Sequence, residues 1–210
     1  MEPKLSSEEI LNLFTTDIQG TSIHERLFTA GNMYLIAAAL GPEATRKSLI
    51  PFLMSDINFD GEVKAIIAEQ LGTFVKYVGG PKYAQVLIEP IKNFVDSEEI
   101  FVRDKAVQAL ATVCSKLPSS EMDFVISNLM ISLFSSTLLT FKTGACTLLP
   151  HLYELVGDVS KSKLRRLFVS MMKDETPSVR RAALAALPAL VNVLKQTVIM
   201  SEIVRQGLQE

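Results

Sequence analysis

The apolar residues of this chain follow the period of a helix, and the helices themselves recur about every 39 residues. From Val102 a stripe runs through Ala106, Val107, Leu110, Val113, Cys114 and Leu117, one face of a 3.6-residue helix. The same face returns from Val63 through Ile67, Ala68, Leu71, Phe74, Val75 and Val78. It returns again from Phe141 (Ala145, Cys146, Leu149, Leu152, Tyr153, Val156) and from Val179 (Ala183, Leu184, Leu187, Leu190, Val191, Leu194). In the first copy it begins at Glu25 and Thr29 before reaching Ala30, Met33, Ile36, Ala37 and Leu40. Those two polar positions are its only breaks, and they fall in the terminal copy, where repeat arrays are atypical.

Each of these helices, helix B, has a partner before it, helix A. Its apolar face reads Leu87, Pro90, Ile91, Phe94 and Val95 in the third copy. The fourth has Ile126, Leu129, Met130, Leu133 and Phe134; the fifth has Leu164, Leu167, Phe168, Met171 and Met172. The second gives Leu49, Phe52, Leu53 and Ile57, and the first Ile10, Leu13, Phe14 and Ile18. Pro51 and Pro90 lie inside helices A and are expected to bend them. Gly41, Gly79 and Gly157 follow helices B and are expected to take the left-handed cap, while Pro118 stops its helix. A single hairpin cannot cover its own apolar faces, so hairpins must stack. The fold class this predicts is all-α: a right-handed α-α superhelix, armadillo-like, of five helical hairpins plus a partial sixth. The expected repeats span about 7–41, 42–80, 81–118, 119–157 and 158–195 within one solenoid over 1–210, with residues 196–210 opening a sixth. Ile203, Val204 and Leu208 would form the apolar face of that last helix, so the chain is expected to be a piece of a longer array.

Composition narrows the function. With 48% hydrophobic and 21% charged residues, a packed core is feasible and disorder is not expected. A net charge of −2 argues against phosphate-backbone binding, which needs clustered Lys and Arg, so no nucleic acid is expected. No apolar run is long enough to cross a bilayer, so no membrane is expected either. Cys114 and Cys146 both fall on stripe positions and read as reduced core thiols of an intracellular protein. His24 and His151 lie in different repeats, with no nucleophile constellation, zinc spacing or phosphate loop around them. The chain is therefore expected to be non-enzymatic and to need no cofactor.

Candidate chemistry lies in the turns between helix A and helix B, at 18–22, 56–62, 96–100, 135–140 and 174–178. Asp56, Asp60, Glu62, Asp96, Glu98, Glu99, Asp174 and Glu175 make this ridge acidic. Each alone could cap the following helix or meet its positive dipole end. As a series they suit a partner with basic groups opposite. Phe59, Leu138 and Leu139 are large apolar residues in turns, either folded back onto the repeat or exposed as anchors. One residue into every helix B stands a cation: Arg26, Lys64, Arg103, Lys142 and Arg180. These are expected to pair with acidic groups of their own or a neighbouring turn and so set the register.

A two-helix unit of this length with Asp174-Glu175-Thr176-Pro177-Ser178-Val179-Arg180 leading into its helix B resembles a HEAT repeat. Four longer stretches are similar to the scaffold (A, structural regulatory) subunits of protein phosphatase 2A. They are RKSLIPFL at 46–53, AEQLGTFVKYVGGPKY at 68–83, FVRDKAVQAL at 101–110 and DETPSVRRAA at 174–183. The resemblance implies a non-catalytic scaffold whose amino-terminal repeats hold variable regulatory (B) subunits on the turn ridge. The catalytic subunit would be reached only by a longer chain. It implies partner-binding roles for Phe59, Asp60, Glu98, Glu99, Leu138, Leu139, Glu175, Pro177 and Arg181. The family typically has Trp at the position of Leu138, and this chain has no Trp. The alternative is another HEAT adaptor, such as a nuclear-transport receptor fragment. The expected location is the cytoplasm, with the nucleus also compatible.

Overall fold

The computed structural model describes residues 5–55 and 59–194, and among them all regular secondary structure is helical. Asp56 and Ile57, and the helix expected over 196–210, lie outside the described residues. The chain divides into two compact units, Met1–Leu117 and Pro118–Glu210.

The first unit opens with α1 (Ser7–Ile18), fixed at its start by a reciprocal cap. The Glu9 amide donates to Ser6 Oγ at 3.2 Å, and the Ser6 amide donates to Glu9 Oε2 at 2.7 Å. The first helix B is divided into α2 (Ile23–Gly31) and α3 (Met33–Ala44) by Asn32, at φ −101° and ψ 10°. Within α3 the regular helix ends at Gly41, whose φ of 77° is positive as expected, though its ψ of 167° is the extended conformation open to glycine and not the left-handed helical cap. The second hairpin is α4 (Ile50–Leu53) and α5 (Gly61–Gly72), and the third is α6 (Ile88–Val95) and α7 (Ile100–Cys114).

The helices A of these two hairpins are shorter than the apolar pattern suggested. Pro51 and Pro90 have no amide to donate to the carbonyls of Lys47 and Val86. Before Pro51 the chain makes a wider π-helical turn over Thr45–Leu49; before Pro90 it makes a tight 3-10 stretch over Pro81–Leu87. The second helix B also gives way after Gly72 to a 3-10 turn at Phe74–Lys76, and Gly79 and Gly80 then take φ of 101° and 91°. The stripe survives these interruptions. Val63, Ile67, Ala68, Leu71, Phe74 and Val78 are all buried, as are all seven positions from Val102 to Leu117. Helices α5 and α7 approach closely where Gly72 faces Ala109: a Cβ on Gly72 would stand 3.0 Å from Ala109 Cα. Lys105 and Glu69 pair across the same helices at 2.9 Å.

The second unit contains α8 (Ser119–Phe134) with α9 (Leu139–Leu152), then α10 (Asp158–Met172) with α11 (Pro177–Val193). Ile126, Leu129, Met130, Leu133 and Phe134 are buried on α8, and Ala145, Cys146, Leu149 and Leu152 on α9. Along α11, Val179, Ala183 and Leu190 are buried while Leu184 is exposed. Gly157 departs from expectation. Its φ is −73°, not left-handed, because it sits in extended backbone at the start of α10. Its amide donates to Asp123 Oδ1 at 2.9 Å, which ties the start of α10 to α8. Cys114 and Cys146 are free and buried, and burial pushes both thiols up to about 12.

Candidate partner-binding ridge

The helix ends place the turns where the sequence suggested. In the first unit they are residues 19–22, the segment between α4 and α5 (of which 54–55 and 59–60 are described) and 96–99, and in the second 135–138 and 173–176. The groups that hold them differ in part from expectation. In three turns an arginine one residue inside the stripe reaches back to the turn's own backbone. Arg26 Nη1 donates to the Gly20 carbonyl at 2.6 Å. Arg103 Nη1 donates to the carbonyls of Ser97 and Glu98 at 2.7 and 2.9 Å. Arg180 Nη1 donates to those of Asp174 and Glu175 at the same two distances. These carbonyls lie just past the end of a helix, where the backbone has acceptors to spare and favours a cation.

The lysines at the equivalent positions, which lack that fork, engage the following turn instead. Lys142 Nζ pairs with Asp174 Oδ2 at 2.8 Å, with side chains 22% and 10% exposed. Lys64 lies close enough to Glu99 to favour its ionised form. Arg26 does both, since its Nη2 also pairs with Asp60 Oδ2 at 2.8 Å. The expected register-setting pairs are therefore present at Arg26–Asp60 and Lys142–Asp174, while Arg103 and Arg180 act on main chain.

The capping role considered for the acidic residues is largely absent. Ser22 does cap α2, accepting from the Glu25 amide at 3.4 Å. Asp60 and Glu99 occupy the position before α5 and α7 without a cap hydrogen bond, because other groups hold their carboxylates. Asp60 is drawn to Arg26; Glu99 accepts from the Ser97 hydroxyl, which lowers its carboxyl from the ordinary value. Asp174 accepts from Lys142 and, through Oδ1, from the Thr176 amide at 2.9 Å. Lys142 first, and then that amide, hold its carboxyl below the ordinary range.

The candidate residues divide by exposure. Phe59 is buried, 6% exposed, so of its two readings the structure has it folded back; it lines a hollow of about 290 Å³ with Leu53, Phe94 and Asp96. Leu138 and Leu139 are 45% and 43% exposed where α9 begins, the Leu138 amide held by Ser136 Oγ at 3.0 Å. Asp60, Glu98, Glu99, Glu175, Pro177 and Arg181 are exposed. Among the described residues Arg181 has no side-chain hydrogen bond or ion pair, while Arg180 beside it is engaged with the turn. Ile100 and Phe101, exposed where α7 begins, were not singled out from sequence, although both lie beside the buried stripe rather than on it. Among the described residues no group of His, Cys, Asp and Glu could hold a metal ion, and no helix is long and apolar enough to cross a membrane.

A model for the HEAT repeat matches residues 164–194, the later part of α10 and all of α11. The chain is also similar to curated proteins. It is 39% identical over 168 residues to a protein phosphatase PP2A regulatory subunit of Schizosaccharomyces pombe, covering 80% of this chain and 28% of that protein. It is 37% identical over 179 residues to the Drosophila melanogaster serine/threonine-protein phosphatase PP2A 65 kDa regulatory subunit, covering 85% and 30%. To the Dictyostelium discoideum protein phosphatase 2A scaffold subunit it is 33% identical over 188 residues, covering 89% and 32%. The chain thus spans less than a third of the length of these relatives. Their names are those of regulatory or scaffold subunits, in keeping with a non-catalytic role. The chain is a HEAT-repeat homologue of the scaffold subunits of protein phosphatase 2A, at 33–39% identity across most of its length.

Proposed function

We propose that this chain serves as the part of a protein phosphatase 2A scaffold that receives variable regulatory (B) subunits on its turns. The scaffold role is supported by homologues named as regulatory or scaffold subunits. The observation that carries the finer reading is the set of side chains the turns leave unused. Leu138 and Leu139 stand in solvent, and Arg181 is unpaired among the described residues, while the neighbouring cations are spent on the turns themselves. Large apolar side chains ringed by charge are the usual anchors of protein interfaces. In this reading Glu175 and Pro177 serve with Leu138, Leu139 and Arg181 in the second unit, while in the first Glu98 and Glu99 offer carboxylates and Phe59 shapes its turn from beneath. The catalytic subunit belongs to the reading only for a longer chain, and the setting is cytoplasmic.

Titration of the full chain with a purified regulatory subunit tests this. Saturable binding is expected, weakened about tenfold by Leu138→Ser with Leu139→Ser and severalfold by Arg181→Ala, with circular dichroism unchanged. Unchanged affinity in both variants would remove these residues from the interface. No binding by the parent chain would sink the regulatory-subunit reading.

A further inference from the structure

Ile100 and Phe101 open α7 with 66% and 48% of their surface exposed, although the stripe that builds the core begins only at Val102. They are not loose. The edge of the Phe101 ring lies over the start of α5 in the neighbouring hairpin: a Cβ on Gly61 would stand 3.1 Å from its Cζ and 2.9 Å from Glu99 Oε1. Phe101 is therefore packed against the neighbouring turn of the first unit, with Ile100 before it in sequence. Three carboxylates sit beside it in sequence: Glu62 after Gly61, and Glu98 and Glu99 before Ile100.

The nearby cations do not neutralise this surface. Arg103 is spent on the carbonyls of Ser97 and Glu98, Arg26 on Gly20 and Asp60, and Lys105 on Glu69. Lys64 lies near Glu99 and lines the hollow beside Asp96. Among the described residues Glu62 and Glu98 have no side-chain hydrogen bond or ion pair. An apolar pair fixed in solvent among unneutralised carboxylates selects its occupant by charge.

We propose that Ile100 and Phe101 are a docking point for a protein segment that presents a large apolar side chain flanked by lysine or arginine. This rests on the reading of the turns as a partner face, but not on the partner being a phosphatase subunit. Glu62 and Glu98 select for the basic flanks, and their attraction is screened by salt.

The test uses the full chain and two fluorescein-labelled amphipathic peptides, one of leucine and lysine, the other of leucine and glutamate. Fluorescence anisotropy should show saturable binding of the lysine peptide that weakens with added salt, and none of the glutamate peptide. Ile100→Ser with Phe101→Ser, and separately Glu62→Gln with Glu98→Gln, should each weaken the lysine peptide at least about fivefold. Ile100→Ser alone serves as the variant least able to disturb folding, and circular dichroism checks all of them. Equal affinity of the Ile100 variants for the lysine peptide, equal binding of the glutamate peptide, or no saturable binding would overturn the proposal. Loss of regulatory-subunit binding with the lysine-peptide result intact would sink only the regulatory-subunit reading.

Discussion

In the second unit the four described α-helices run for 14 to 17 residues each, with a single 3-10 turn at Tyr153–Leu155 after α9. In the first, the α-helical part of helix A falls to 4 residues at α4 and 8 at α6, and two of the three helices B are interrupted. The buried faces nevertheless match, hairpin for hairpin. Leu87, Ile91 and Val95 are as buried as Ile126, Met130 and Leu133, though Leu87 ends a 3-10 stretch while its counterpart Ile126 lies within a regular helix. The repeat is thus defined by where apolar side chains fall in space. The hydrogen-bond ladder beneath them can change between π, α and 3-10 form, provided the spacing delivers the stripe to the core.

If that is right, cutting the core should cost the same in either unit. Phe74→Ala, in the 3-10 turn of the first, and Phe134→Ala, ending α8 in the second, each remove a fully buried ring. Each is expected to cost about 3–5 kcal/mol in urea unfolding. A much smaller loss at Phe74 would mean that irregular backbone relaxes into the cavity, and would break the equivalence.

Glycine separates the units more sharply. Gly79→Ala places a Cβ at φ 101°, 2.9 Å from Arg46 Nη1 and 3.0 Å from Tyr83, and is expected to cost about 1–3 kcal/mol. Gly157→Ala meets nothing nearer than 3.6 Å in extended backbone, and its thermal midpoint should not move.

The turn ion pairs come next. Asp174→Ala leaves Lys142 and the Thr176 amide without their acceptor and should cost about 1–2 kcal/mol. Asp60→Ala, at a more exposed pair, should cost less than about 1 kcal/mol. The Asp174 carboxyl is held below its ordinary 3.8, so its contribution is complete above that value and is lost as pH falls through the lower folded one. Acid unfolding of Asp174→Ala should therefore begin from a lower plateau and lose less stability below the ordinary value than the parent.

The smallest effect is a null in both units: Cys114 and Cys146, with thiols pushed up to about 12, should ignore a disulfide reagent until the chain unfolds.

Hairpins, stripes and turn positions were legible in the sequence because burial needs a fixed spacing of apolar residues, and spacing is written one residue at a time. The caps were less so. Gly79 and Gly157 occupy equivalent places, yet one bends left-handed and the other is extended, because an amide contact to Asp123 on another helix decides the second. The division of labour in the turns was hidden for the same reason. Asp60 and Glu99 look like caps until Arg26 and Ser97 claim their carboxylates. Phe59 and Leu138 read alike as apolar turn residues, and only the hollow over α4 and α6 tells the buried one from the exposed one.

The arginine fork has a consequence for how such a chain can vary. Arg26, Arg103 and Arg180 grip carbonyl oxygens of their own turns, which every residue possesses, and only Arg26 also holds a side chain, that of Asp60 in the following turn. A loop clasped from the helix side keeps its shape whatever letters are written in it. Its outward residues are then free to drift, or to be selected anew for each partner, with the frame behind them unaltered.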